Sequence, residues 1–175
     1  MKIFFFGGSF NPPHFGHLKI IEKCSSLSDK LIIFPNKISL EKSKNIDSYH
    51  RVNMLKMLLN KGNVMIDDFE LRSNKKNYTI YTIEYLMKKY NNNRITMVIG
   101  LDQLANLHKW YRYKDIINIV DILCFNRKTY HDKRSIPKYK NLIYLKDFNE
   151  MFSSSMVRES ICETNNSYIN KAIPR

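Results

Sequence analysis

Cysteine is scarce in this sequence, and its three residues, Cys24, Cys124 and Cys162, lie far apart. An odd number of widely spaced cysteines argues against a disulfide framework, so we expect a cytoplasmic protein in which they are small, buried apolar residues. No apolar run approaches the roughly 18 residues that a membrane-spanning helix requires. The apolar start of the chain stops at Gly7, which is too short for the core of a secretion signal.

Acidic residues are also in the minority, since 16 Asp and Glu against 29 Lys and Arg give a net charge of +13. Such a charge leaves nucleic-acid binding open as an alternative. The basic excess is spread along the chain with only short clusters, so we expect small anionic substrates as partners, with no nucleic acid and no membrane. A length of 175 residues with 43% apolar content predicts one globular domain over residues 1–175.

Short apolar runs alternate with segments of helical periodicity along the chain. The runs predict strands at residues 2–6, 31–34, 64–66, 95–99, 121–125 and 142–145. Helical spacing of apolar residues predicts helices at residues 15–27, 48–60, 78–90, 115–120 and 153–162. This alternation indicates an α/β fold with a Rossmann-like, doubly wound, mainly parallel sheet and helices on both faces. We expect ligands beyond the carboxyl ends of its strands.

One segment, residues 7–18, combines features that suit phosphate binding. It reads GGSFNPPHFGHL and directly follows the first apolar run. Glycine lets the backbone approach a phosphate, and the helix that begins here presents free N–H groups and a partial positive charge. His14 and His17 lie at that helix start and add donors that can carry charge. Two alternatives remain open: a pair that only caps the helix, and a zinc site, for which no recognisable pattern supplies a third ligand.

This segment resembles the GxFxPxHxGH signature of the nucleotidyltransferase superfamily, whose members have a Rossmann-like fold. Residues 152–158, which read FSSSMVR, are similar to the second superfamily signature, ISSTxxR. Hydroxyl groups at a helix start, with Arg158 on the same helix face, offer several donors to a phosphate. Taken alone, these residues also fit an ordinary serine cap beside a solvated arginine.

Four further segments narrow the resemblance to the bacterial nicotinate mononucleotide adenylyltransferases, and the match covers nearly the whole chain in the same order. The segments are residues 47–55, 77–79, 99–102 and 110–111. Of these, residues 99–102 are similar to the IGxD motif of the family. The resemblance implies an enzyme of NAD biosynthesis that transfers AMP from ATP to nicotinate mononucleotide, giving deamido-NAD and pyrophosphate. Core packing by Trp110 and helix capping by Asp102 or Thr79 are the alternative interpretations of those residues. We interpret His50 and Arg51 as structural.

The resemblance also implies a set of site residues. Catalytic roles fall on His14, His17 and Lys42. The ATP-binding residues would be Gly7, Gly8, Ser9, Phe10, His14, His17, Ser154, Ser155 and Arg158. The substrate-binding residues would be Asn36, Tyr78, Thr79, Asp102, Trp110 and Tyr111. Mg²⁺ would arrive with ATP and need no dedicated protein site, because magnesium often uses substrate phosphates as ligands.

Two features depart from the family pattern. The family commonly has PNxxPPHK after the second strand, whereas residues 35–42 read PNKISLEK, which keeps Asn36 and Lys42 but lacks the later prolines and the histidine. Family members also usually continue into a final helix beyond the point that matches Arg175. Sister enzymes that use nicotinamide mononucleotide or phosphopantetheine remain alternatives, as does a non-catalytic basic module that binds nucleic acid.

Overall fold

The protein contains a six-stranded, parallel β-sheet in the order β3-β2-β1-β4-β5-β6. The structure is a computed structural model that describes residues 1–37, 46–59, 62–74, 76–91, 93–126, 139–145, 148, 152–163 and 166–174. The strands are β1 (Ile3–Gly8), β2 (Lys30–Pro35), β3 (Val64–Ile66), β4 (Ile95–Gly100), β5 (Asp121–Phe125) and β6 (Leu142–Leu145). The helices are α1 (Phe15–Leu27), α2 (Ser48–Leu58), α3 (Phe69–Arg72), α4 (Thr79–Lys89), α5 (Leu101–Asn106), α6 (Tyr113–Ile119), α7 (Ser154–Cys162) and α8 (Asn166–Ala172).

The predicted α/β fold class is confirmed, and each predicted strand and helix lies within two residues of its observed bounds. Four further elements were not predicted from the sequence: α3, α5, α8 and a 3-10 turn at Leu107–Lys109. These elements have between three and seven residues, which is too short to show a helical repeat of apolar positions. In addition, α5 follows β4 with no intervening turn residue, so a single apolar run covers the end of one element and the start of the next.

The two faces of the sheet bury alternate residues of each strand, as the period of two in a β-strand requires. On β1, Ile3 and Phe5 face a cluster completed by apolar residues of α4, α5 and α6. Phe4 and Phe6 face the opposite cluster, which apolar residues of α1 and α2 complete. Both faces of the central strands are therefore covered, and these strands read as unbroken apolar runs for that reason.

Two of the three cysteines are buried, whereas burial was expected of all three. Cys24 and Cys124 are buried, and burial raises the pKa of both thiols, that of Cys124 to about 12, so they are inert apolar residues. The expectation was wrong for Cys162, which is exposed near the end of α7.

None of the helices that the structure describes combines the length and the apolar character needed to cross a membrane.

Candidate active site

A cavity of about 470 Å³ opens at the carboxyl ends of β1 and β4. These strands are neighbours in the centre of the sheet, and the strand order reverses direction between them. The chain leaving β1 crosses to one side of the sheet and the chain leaving β4 to the other, so a crevice forms where the two connections part. The cavity therefore lies at the switch point where doubly wound folds bind ligands.

His14 and His17 form a capping box at the start of α1. The backbone N–H of Gly16 donates to Nδ1 of His14 at 3.1 Å, and the backbone N–H of His14 donates to Nδ1 of His17 at 3.3 Å. Because Nδ1 of each ring accepts a hydrogen bond, the hydrogen of each neutral ring lies at Nε2. Both side chains line the cavity. Helix capping and ligand binding are thus compatible, since one nitrogen of each ring serves the cap and the other is a donor.

Gly16 and Gly8 have no side chain, and this lets the rings of His14 and Phe10 lie close to their backbone. A Cβ on Gly16 would lie 3.0 Å from Nδ1 of His14 and would displace the capping ring. A Cβ on Gly8 would lie 3.1 Å from the ring of Phe10. Phe10 is itself fully buried, and its ring packs edge-on against His17, with 4.9 Å between ring centroids. Phe10 was predicted to bind ATP, but its ring packs against His17 and the residue is not part of the described lining of the cavity.

Helix α7 packs against the loop that joins β1 to α1. The Ser154 hydroxyl donates to the carbonyl of Pro12 at 2.9 Å, and the Arg158 guanidinium donates to the carbonyl of Asn11. Arg158 also donates to the Ser155 hydroxyl at 3.2 Å. Ser154, Ser155 and Arg158, for which we predict ATP binding, all line the cavity. Their contacts show that α7 and the histidine segment form one continuous wall.

The other wall contains four of the predicted substrate-binding residues. Asn36 follows β2, Thr79 begins α4, Asp102 lies in the first turn of α5, and Trp110 follows the 3-10 turn. All four line the cavity. Within the described residues, no side chain caps α4 at Tyr78, so the N-terminal N–H groups of α4 begin beside the cavity with their partial positive charge.

Tyr78 and Tyr111 lie outside the described lining of the cavity, each next in sequence to a residue of that lining. Their rings pack against each other with 4.6 Å between centroids, and Tyr81 completes the cluster at 6.2 Å from Tyr111. Tyr111 is 48% exposed, and neither Tyr78 nor Tyr111 belongs to the described lining of the cavity. Both side chains were expected to contact substrate, whereas in this structure they contact each other. Sequence cannot distinguish these outcomes, because an aromatic residue beside a helix start suits either one.

The sequence analysis missed several residues of the lining, of which Glu70 is the most buried polar one. Its carboxylate accepts a hydrogen bond from the Thr82 hydroxyl at 2.7 Å, and its backbone carbonyl accepts one from the Asn77 amide at 2.8 Å. Burial raises the pKa of the Glu70 carboxyl, and the bond from Thr82 opposes that rise. The sequence signal was weak, because Glu70 lies in the unpredicted helix α3. Other missed lining residues with polar side chains are Asn77, Gln103 and Ser153.

Charged side chains of both signs and three helix starts set the electrostatics of the cavity. Arg158 is the cationic side chain among the described lining residues, and Glu70 and Asp102 are the acidic ones. The starts of α1, α4 and α7 add partial positive charge. Lys42, predicted to be catalytic, lies outside the described residues. Among the residues that are described, no cluster of three or more His, Cys, Asp or Glu could hold a metal ion.

Comparison with known proteins identifies the family. The model of the family described as Cytidylyltransferase-like matches residues 5–160. A probable nicotinate-nucleotide adenylyltransferase from Nitratiruptor is 34% identical over 90% of this chain and 88% of its own length. The nicotinate-nucleotide adenylyltransferase of Bacillus subtilis is 30% identical over 90% of this chain and 84% of its own length.

Solved structures show the same architecture. A Plasmodium falciparum nicotinic acid mononucleotide adenylyltransferase complexed with NaAD superposes with a TM-score of 0.82 at 20% identity, over 98% of this chain and 90% of that chain. At that identity the likeness establishes the fold, while the sequence relatives establish kinship. The chain therefore belongs to the Cytidylyltransferase-like family and, within it, to the nicotinate-nucleotide adenylyltransferases.

Proposed function

We propose that this protein transfers the adenylyl group of ATP to the 5′-phosphate of nicotinate mononucleotide, which yields deamido-NAD and pyrophosphate in NAD biosynthesis. The observation that carries the proposal is the pair His14 and His17, which line a cavity at the switch point of the sheet while Nδ1 of each ring accepts a hydrogen bond of the helix cap. The family membership specifies the substrates. The activity named for the relatives also fits the cavity, which has hydrogen-bond donors for phosphate on one wall and an aromatic ring on the other.

The transfer reaction does not require a general base. An oxygen of the acceptor phosphate attacks the α-phosphorus of ATP, the bond from that phosphorus to the bridging oxygen of the β-phosphate breaks, and pyrophosphate leaves. The attacking oxygen is already ionised at neutral pH, so no proton needs to be removed. Catalysis then consists of alignment of the two phosphates and stabilisation of the charge that develops on the transferring group.

The two walls of the cavity suggest how the substrates divide it. On the first wall, Nε2–H of His14 and of His17 would donate to oxygens of the α- and β-phosphates, with Arg158 near the outer phosphates. Gly7, Gly8 and Ser9 would approach the same chain of phosphates through their backbone, beside Ser154 and Ser155 at the start of α7. Lys42 completes the proposed catalytic set.

On the second wall, Trp110 would stack on the nicotinate ring and the start of α4 at Thr79 would receive its carboxylate. Asn36 and Asp102 would donate to or accept from the sugar and phosphate groups, and Tyr78 and Tyr111 would approach from the rim. Mg²⁺ would enter with ATP and reduce the repulsion between the two phosphate groups. Its ligands would be mainly phosphate oxygens and water, which suits a lining with only two described acidic side chains.

Pyrophosphate release from ATP tests this function directly. We expect release with nicotinate mononucleotide and little with nicotinamide mononucleotide, phosphopantetheine or no acceptor. Release mainly with one of the other acceptors would make the protein a sister adenylyltransferase. Absence of turnover with every acceptor, combined with a salt-dependent shift on generic RNA or DNA, would favour the nucleic-acid module instead.

The contacts of Arg158 give a second prediction. Arg158→Ala removes the lining cation and its bond to the Asn11 carbonyl, so the Michaelis constant for ATP should rise roughly tenfold or more, as the loss of a charged hydrogen bond implies. The constant for the acceptor should change much less, because the acceptor lies against the other wall. Initial rates with one substrate varied at a time decide the matter. Glu159→Ala, at an exposed position on the same helix, is the control, and equal changes in both constants would contradict the assignment.

A further inference from the structure

Among the residues that the structure describes, Arg51 is the largest side chain that is fully buried, with 1% of its surface exposed. It lies in the first turn of α2, and its guanidinium donates to three backbone carbonyls. Nε donates to the carbonyl of Ile46 at 3.1 Å, one terminal nitrogen to that of Asn36 at 3.0 Å, and the other to that of Ser9. A guanidinium has five N–H groups in a fixed plane, so these bonds hold the three acceptors in one geometry.

The three carbonyls belong to three different parts of the chain. Ser9 directly follows β1, Asn36 directly follows β2, and Ile46 directly precedes the cap of α2. Ser9 and Asn36 both line the cavity, on the phosphate wall and the acceptor wall respectively. Arg51 itself is not among the described lining residues, so it reaches the cavity only through the backbone that it binds.

Neighbouring bonds show how closely these segments are coupled. The backbone N–H of Asn36 donates to the carbonyl of Gly8 at 2.8 Å, and the backbone N–H of Ile46 donates to Oδ1 of Asn11 at 2.9 Å. A Cβ added to Gly7 would lie in van der Waals contact with Oδ1 of Asn36, at 3.6 Å, so the gap between these two segments is about one carbon atom wide at this point. A small shift of either segment therefore changes the width of the cavity where the two reacting phosphates would meet.

We propose that Arg51 is a positioning residue for adenylyl transfer, which sets the separation of the segments at Ser9 and Asn36 and so aligns the two substrates. This inference rests on the proposed function for its second substrate but not for ATP. The side chain stays charged, because a guanidinium remains protonated in proteins. Burial lowers the pKa of Arg51 and Asp47 opposes that change. The charge also contributes a positive field beside the phosphate segment.

Arg51→Ala is the primary test, with Arg51→Lys as a variant that keeps the charge but cannot bond three carbonyls in a plane. Because misplacement of reacting groups by about 1 Å can cost on the order of a hundredfold, we expect kcat/KM for both substrates to fall by tenfold to a hundredfold in Arg51→Ala. The affinity for ATP, measured by calorimetry without acceptor, should also fall. Arg51→Lys should recover only part of either loss.

Chemical rescue separates positioning from stability. Millimolar ethylguanidinium should enter the space left by Arg51→Ala and raise kcat/KM several-fold per folded molecule, whereas ethylammonium should not. Arg94→Ala is the control: Arg94 is 75% exposed and pairs with Asp121 at the amino end of the sheet, away from the cavity. Neither its kinetic constants nor their response to ethylguanidinium should differ from those of the unmodified protein.

Two results would overturn the proposal. One is an Arg51→Ala protein with unchanged ATP affinity and unchanged kinetic constants. The other is rescue of the melting temperature alone, with kcat/KM per folded molecule still low in the presence of ethylguanidinium. Failure of the proposed function looks different: the unmodified protein would bind ATP but not turn over nicotinate mononucleotide, while the effect of Arg51 on ATP affinity would persist.

Discussion

Replacing His17 by alanine is expected to lower kcat by about 10²–10³, which is typical for the loss of one preorganised donor to charge in a transition state. His17 is 7% exposed, lines the cavity and holds its ring 3.8 Å from that of His14 between centroids. The bond that Nδ1 accepts from the backbone fixes the orientation of the ring, so Nε2–H needs no reorganisation when charge develops. Single-turnover measurements at saturating substrates give the effect on the chemical step.

The structure adds a consequence for stability. His17→Ala removes half of the capping box and leaves a void beside Phe10, so we expect a lower melting temperature. His17→Gln is the matched variant, because glutamine at this position of a capping box can reach back to the N-cap N–H. It should keep most of the stability and still lose most of the activity. A His17→Gln protein as active as the unmodified one would show that the imidazole is not needed for transfer.

Sequence patterns captured the parts of the fold that depend on long or strongly apolar elements. The runs at β1, β2 and β4 are covered on both faces, so each is apolar throughout and easy to recognise. Helix α1 follows a turn segment with Gly and Pro and has a clear apolar stripe. Helix α3 has four residues, and its position depends on tertiary contacts such as the stacking of Phe69 on Tyr85 at 4.2 Å between centroids. No local signal specifies such a contact.

The residues of the candidate site were likewise predictable from the sequence only in part. His14 and Asp102 lie in the segments that follow β1 and β4, and parallel strands bring their carboxyl ends to one edge, so the sequence predicted their convergence. The directions of Phe10 and Tyr111 were not predictable, because they depend on which neighbours each ring meets. Glu70 was missed because a buried carboxylate is unusual, and its hydrogen bond with Thr82 joins residues 12 positions apart.

The acceptor preference provides the second large effect, because nicotinate mononucleotide differs from the nicotinamide form by a carboxylate in place of an uncharged amide. Thr79 lines the cavity at the start of α4, where no side chain caps the first N–H groups, and a carboxylate, which only accepts hydrogen bonds, would match such donors. The amide would place its NH₂ group against donors, and each mispaired buried group costs about 1–3 kcal/mol. We therefore expect kcat/KM to favour the nicotinate form by at least roughly tenfold.

Substitutions at Thr79 and Trp110 should change the acceptor kinetics in different ways. Thr79→Val removes a hydroxyl donor beside the carboxylate and should reduce the ratio of the two kcat/KM values, whereas Thr79→Ser, which keeps the hydroxyl, should preserve it. Trp110→Phe keeps a smaller stacking face and should weaken the binding of both acceptors alike, because stacking does not distinguish a carboxylate from an amide.

Glu70 would lower the preference for the nicotinate form, since its negative charge would repel the carboxylate. Burial raises the pKa of Glu70 and so limits that repulsion. A ratio near one in the unmodified protein would contradict this arrangement, and a ratio in favour of nicotinamide mononucleotide would assign the chain to the sister reaction.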